Sequence, residues 1–131
     1  MTTLAVVAVS GAAGAVARYL VTYWVTVHLE PRWPFPTHDV DWGTHAVNIS
    51  GSLAIGLLFG LGLDAVSPDL PRYAIATGFL GAYTTFSTWM YESWRLFEDG
   101  RRWAPLFNAG GAMVAGIAAT ALGFGLGAAI V

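Results

Sequence analysis

The chain of 131 residues has no cysteine, and only 11% of its residues are charged. Without cysteine there is no disulfide framework, no thiol chemistry and no report of redox compartment. Soluble domains carry about 25% charged residues, so this chain is short of charge by roughly half. Its six basic residues are all arginine and its net charge is −2, too small and too scattered to favour nucleic acid. The amino terminus has no basic stretch ahead of its first apolar run, so that run is not expected to be a cleaved signal.

What remains is apolar: 56% of the residues are hydrophobic, and the mean hydropathy is +0.59. The charges are segregated. Residues 3–27 contain a single one, Arg18, and residues 42–63, 73–91 and 103–131 contain none. Each run reaches the roughly 20 apolar residues that cross about 30 Å of hydrocarbon. The expectation is an all-α membrane protein, a single domain of four transmembrane helices at about 3–28, 42–63, 72–97 and 103–131. Pro-rich, charged residues 29–41, a loop with Asp64, Pro68, Asp69 and Pro71, and the turn Glu98-Asp99-Gly100-Arg101-Arg102 separate them. Trp24, Trp33, Trp42, Trp94 and Trp103 fall near the expected helix ends, as interfacial aromatics do.

Gly56-x-x-x-Gly60 and Gly123-x-x-x-Gly127 are small-residue patterns that let membrane helices approach closely. Four short helices make a thin bundle, and these glycine faces suggest more packing than one subunit satisfies, so an oligomer is expected. The competing account is lipid-facing glycine, which is common in membrane helices.

The third span carries the most informative stretch, G-F-L-G-A-Y-T-T-F-S-T-W-M-Y-E at 78–92. Gly81, Thr84, Thr85, Ser87 and Thr88 make helix geometry easy to break there, and the helix is expected to be interrupted near Gly81–Thr85 at the membrane midplane. Irregular backbone at that depth survives only where protein or a watery cavity receives its freed amides and carbonyls. Loose carbonyls bind cations and loose amides bind anions, so the break is a candidate ion site.

Other polar residues inside the spans are few. Arg18 marks either function or a structural role, snorkelling or capping carbonyls at a helix break. Asn48, with Thr44, His45, Ser50 and Ser52 around it, offers two N–H donors without charge, which suits a small hydrated anion; an interhelical hydrogen bond is the bland alternative. Phe86 presents a ring with a positive edge that faces an anion weakly and dryly, or it is a core phenylalanine. His28, Glu30, His38, Asp39, Asp41 and His45 match no helical metal spacing. The glycine-rich run at 5–20 imitates a dinucleotide turn, but a Pro-rich loop follows it in place of a βαβ unit.

Three segments together resemble the Fluc (CrcB) family of fluoride channels: G-A-A-G-A-V-A-R-Y at 11–19, G-T-H-A-V-N-I-S-G-S-L-A-I-G at 43–56 and G-F-L-G-A-Y-T-T-F-S-T at 78–88, in the family's order. The resemblance implies an antiparallel, dual-topology dimer in the plasma membrane with two narrow fluoride pathways. It implies a structural sodium ion at the dimer centre, held by the backbone carbonyls of Gly81 and Thr84. Asn48 matches the pore asparagine, Phe86 the first ring of an aromatic box, and Arg18 the arginine of the first-helix motif. Thr44, Ser87, Thr88 and Glu92 fall on a polar track.

There are departures. Trp89 stands where the family usually has the box's second phenylalanine, and its larger face and N–H donor are expected to narrow or rewire the path. Met90, Phe107 and Gly111 replace positions where hydroxyl-bearing residues are common, and His45 replaces an apolar one. Arg32, Arg95, Arg101 and Arg102 lie on one side of the membrane against Arg72 and the amino terminus, a bias that predicts both termini outside. The chain is therefore expected to work as a homodimer or as half of a heterodimer with an oppositely oriented relative.

A passive fluoride exporter is the leading reading, with a non-conducting or heteromer-obligate subunit as the alternative. A small multidrug-type transporter needs a carboxylate in its first helix, where this chain has only Arg18. An enzyme is not expected, because no nucleophile–base pair can be assembled within the spans.

Overall fold

The computed structural model describes residues 2–29, 40–62 and 70–131, and for residues 2 and 70–75 the backbone alone. Among the described residues there are five helices and no strand: α1 Thr2–His28, α2 Trp42–Gly60, α3 Leu70–Tyr83, α4 Phe86–Glu98 and α5 Ala104–Ile130. Glu30, His38, Asp39, Arg32 and the side chain of Arg72, which entered the metal and charge-bias readings, lie outside the described residues.

The helix ends follow from local chemistry. Asp41 caps α2, its carboxylate accepting the Thr44 N–H at 3.2 Å, and an Asp N-cap satisfies one of the orphan amides of a first turn. Thr85 caps α4 in an extended conformation (φ −146°, ψ 123°). Pro105, in the first turn of α5, gives up no helical hydrogen bond there. Gly62 and Gly100 adopt φ of +69° and +76° just beyond α2 and α4, the left-handed geometry that closes a helix. Gly62 is why α2 stops at Gly60 and not at the expected position 63.

The helices pair as α2 on α5 and α1 on α3, with α4 resting on α5. Glycine makes both main pairings possible. A Cβ at Gly56 would strike the Thr120 backbone, one at Gly60 the Phe124 carbonyl, one at Gly123 the Leu53 carbonyl, and one at Gly127 the Leu57 carbonyl. On the other pair, Gly14 abuts the Phe79 carbonyl and Gly78 abuts Ser10 and Val7. The two G-x-x-x-G motifs thus face each other inside one subunit, so they are not the unmet packing that the sequence suggested. Of the glycines within helices, Gly81, Gly110, Gly111 and Gly125 are left in open space within the subunit.

Large apolar side chains point outward. Among the described residues the buried apolar ones are Val25, Val47 and Leu96, while Leu4, Val9, Tyr19, Phe107, Val114 and Ile130 are exposed. α1 over Thr3–His28 and α5 over Ala104–Ile130 are long and apolar enough to cross a membrane. Below that standard fall α2, with His45 and Asn48 in its first half, and the α3 and α4 segments of 14 and 13 residues.

Gly123→Val should drive side-chain carbon into the Leu53 backbone and destabilise the fold by about 1–3 kcal/mol. Gly125→Val should change stability by no more than about 0.5 kcal/mol. Unfolding midpoints of the two variants in the same detergent check the contrast.

Candidate functional site at the Thr84–Thr85 break

Tyr83 ends α3 and Phe86 opens α4, leaving Thr84 and Thr85 between two helices. The Thr84 N–H still bonds the Leu80 carbonyl at 3.0 Å, and the Thr84 hydroxyl donates to the same carbonyl at 2.9 Å. Thr85 leaves the helical path. Its N–H bonds Asn48 Oδ1 at 2.8 Å in place of the Gly81 carbonyl four residues back, and its own carbonyl accepts from Asn48 Nδ2 at 2.8 Å. One side-chain amide therefore does for Thr85 what an adjacent strand would do, satisfying donor and acceptor together. A primary amide has two N–H groups, so Asn48 keeps one beyond this clamp.

The break also changes the carbonyls at the end of α3, two of which bear on the site. That of Gly81 loses the Thr85 amide as donor. That of Thr84 would ordinarily receive the Thr88 N–H, but this donates to Thr85 Oγ1 at 3.3 Å as part of the α4 cap. Arg18 reaches across from α1 and its Nη1 donates to the Thr84 carbonyl at 3.4 Å. A cation there complements the partial negative charge at the C-terminal end of α3. Of the roles considered for Arg18, this contact is the capping one.

A cavity of about 1150 Å³ opens beside the break. Asn48, Gly81, Thr84, Thr85, Phe86 and Trp89 line one wall, and Met113, Gly116 and Thr120 of α5 line another. Phe86 is 69% exposed, and its ring meets that of Trp89 edge to face, with centroids 5.5 Å apart and planes at 84°. The Trp89 indole N–H is not offered to this cavity. It donates to the Asn108 backbone carbonyl of α5 at 3.1 Å.

The remaining candidates do not line this cavity. Thr44, only 2% exposed, donates through Oγ1 to Glu92 Oε1 at 2.7 Å. Thr44 is four residues before Asn48, hence one turn along the same face of α2. Glu92 Oε2 is buried with no hydrogen-bond partner. Ser87 and Thr88 are exposed, and their hydroxyls lie 3.4 and 2.9 Å from Thr85 Oγ1. His45 is buried, bonds the Asp41 carbonyl through Nδ1 at 3.1 Å and lies against Trp42. Among the described residues no group of three histidine, aspartate or glutamate side chains could hold a metal ion.

Sequence reasoning missed three parts of this arrangement. The sequence marks Thr85 only as a helix breaker, whereas it is the N-cap of α4. The Tyr83 hydroxyl, 2.8 Å from Ser50 Oγ, had no signal. Asn108 had one, since it is an amide in an otherwise apolar span.

Residues 5–124 match the family described as CrcB-like protein, Camphor Resistance (CrcB). The chain belongs to the CrcB family. It is 42% identical over 127 residues to the fluoride-specific ion channel FluC of Acidobacterium capsulatum, covering 95% of each chain. It is 43% identical over 123 residues to FluC 1 of Symbiobacterium thermophilum, covering 92% of this chain and 94% of the relative. With FluC 2 of Natronomonas pharaonis the identity is 44% over 130 residues, covering 99% and 97%. CrcB membership and the outward apolar surface of α1 and α5 make this a membrane protein.

Asn48→Ala in this CrcB chain removes both partners of the Thr85 backbone. Leaving a buried polar group unmatched costs about 1–3 kcal/mol, so the variant should lose at least that much stability. Reversible unfolding in detergent measures it.

Proposed function

We propose that the protein is a fluoride-selective channel that lets fluoride leave the cytoplasm passively across the plasma membrane. The observation that carries this reading is the near full-length similarity to relatives named as fluoride-specific ion channels. The geometry supports it. Fluoride must exchange hydration for donors that hold it without trapping it, and Asn48 offers an uncharged N–H beside ring edges at Phe86. The pair Thr44 and Glu92, with Ser87 and Thr88, extends the polar track toward the ends of α2 and α4.

In this reading the break lies near the membrane midplane, where Asn48 and Arg18 relieve backbone groups that lipid could not. The cavity wall, the open glycines at 110 and 111 and the 74% exposed Phe107 are covered by a second, oppositely oriented subunit, and the outer face of α1 meets lipid. The Gly81 and Thr84 carbonyls would hold a sodium ion between the subunits. They fit a hard cation, because one has lost its helical donor and the other has a lone pair left beside Arg18. The ion supplies positive charge between two anion paths.

A second reading keeps the channel but makes this chain one half of a heterodimer. The arginine bias favours it, four against one along the loops with the amino terminus beside the one. Fluoride efflux from liposomes holding this chain alone separates the two. Efflux should be rapid, and Asn48→Asp or Phe86→Ile should slow it at least about tenfold, as expected when a group on the path is lost. No efflux without an inverted relative, and efflux with one, would establish the heterodimer. No efflux in either case would reject the channel.

A further inference from the structure

A second polar arrangement ties α4 to α5, away from the Asn48 clamp. The Trp89 indole Nε1 donates to the Asn108 backbone carbonyl at 3.1 Å. Asn108 Nδ2 donates to Ser93 Oγ at 2.9 Å, and Ser93 Oγ donates to the Trp89 carbonyl at 3.0 Å. The three bonds close a ring between two helices. Asn108 and Ser93 are both buried, at 4% and 7% exposure, and Asn108 Oδ1 has no hydrogen-bond partner. A closed ring of hydrogen bonds between two helices fixes the position of its members.

What it fixes is Trp89. An indole has one N–H that it could offer to an anion, and its nitrogen has no other hydrogen to give. Here that hydrogen is committed to α5, so Trp89 meets the cavity as ring carbon. Its edge-to-face contact with Phe86 then sets where that exposed ring stands.

We infer that Trp89 is a positioning residue of the pathway: α5 holds its indole N–H away from the ion and, through the ring, holds Phe86 in place. This rests on the channel reading above. Asn108 enters through its backbone carbonyl, so no side-chain substitution at 108 removes the bond directly. The informative change is at Trp89 itself.

The test uses the full-length protein with 3-benzothienylalanine at position 89, which keeps the bicyclic ring and lacks the N–H, alongside Trp89→Phe. Fluoride efflux from liposomes, thermal unfolding and the ¹⁵N indole resonance of Trp89 are measured. In the unmodified protein the indole hydrogen should exchange slowly with D₂O and should not shift when sodium fluoride is added. The benzothienyl variant should unfold at nearly the same temperature and yet pass fluoride about tenfold more slowly. Unchanged efflux in that variant overturns the proposal, as does an indole resonance that moves with fluoride. If the unmodified protein passes no fluoride either alone or with an inverted relative, the channel reading fails. The latch is then decided by the indole signal: slow exchange supports it and rapid exchange overturns it.

Discussion

The interaction on which this structure depends is the pair of 2.8 Å hydrogen bonds between the Asn48 amide and the backbone of Thr85. A helix interrupted inside an apolar bundle exposes amides and carbonyls that have no water to turn to. Asn48 answers both groups of one residue with a single neutral side chain. That allows α3 to stop and α4 to restart with its own cap only two residues later. The cavity, the loosened carbonyls of Gly81 and Thr84, and the exposed ring of Phe86 all follow from the break.

Arg18 and Trp89 do related work on either side. Arg18 brings a positive charge from α1 to the carbonyl end of α3, and Trp89 sends its N–H to the carbonyl of Asn108 on α5. Both long side chains anchor to backbone carbonyls on other helices. The groups that line the cavity are uncharged: the Asn48 amide, threonine hydroxyls, ring carbon and glycine among them. Such a surface suits an ion that must be held briefly and released.

Close approach of helices makes these contacts possible. Gly56, Gly60, Gly123 and Gly127 let the α2 and α5 backbones touch, and Gly14 and Gly78 do the same for α1 and α3. With the small residues turned inward, the large apolar side chains are left on the outside, which is the reverse of a soluble protein and the natural result of packing in lipid. The outward Phe107 and the open Gly110 and Gly111 flank Asn108, whose carbonyl takes the Trp89 N–H.

Much of this was legible from the residues. Four charge-poor runs marked the spans because burying charge in hydrocarbon is costly, and Asn48, Phe86 and the hydroxyl run at 84–88 stood out as polar or breakable elements inside them. The direction of each side chain was not legible. The glycine motifs could as well have faced another subunit, since sequence spacing says that a face is small but not what it meets. The Trp89 N–H had no predictable acceptor, because Asn108 lies 19 residues away and only the packing of α4 on α5 brings its carbonyl within 3.1 Å. Asn48 offered the same two donors and one acceptor whether or not it clamped Thr85. The sequence by itself determined where the chain is apolar and where its helix is weak, because both are local properties of hydropathy and backbone propensity. Only the tertiary structure decided which polar group answers which, because a hydrogen bond between helices depends on their relative position and not on their spacing along the chain.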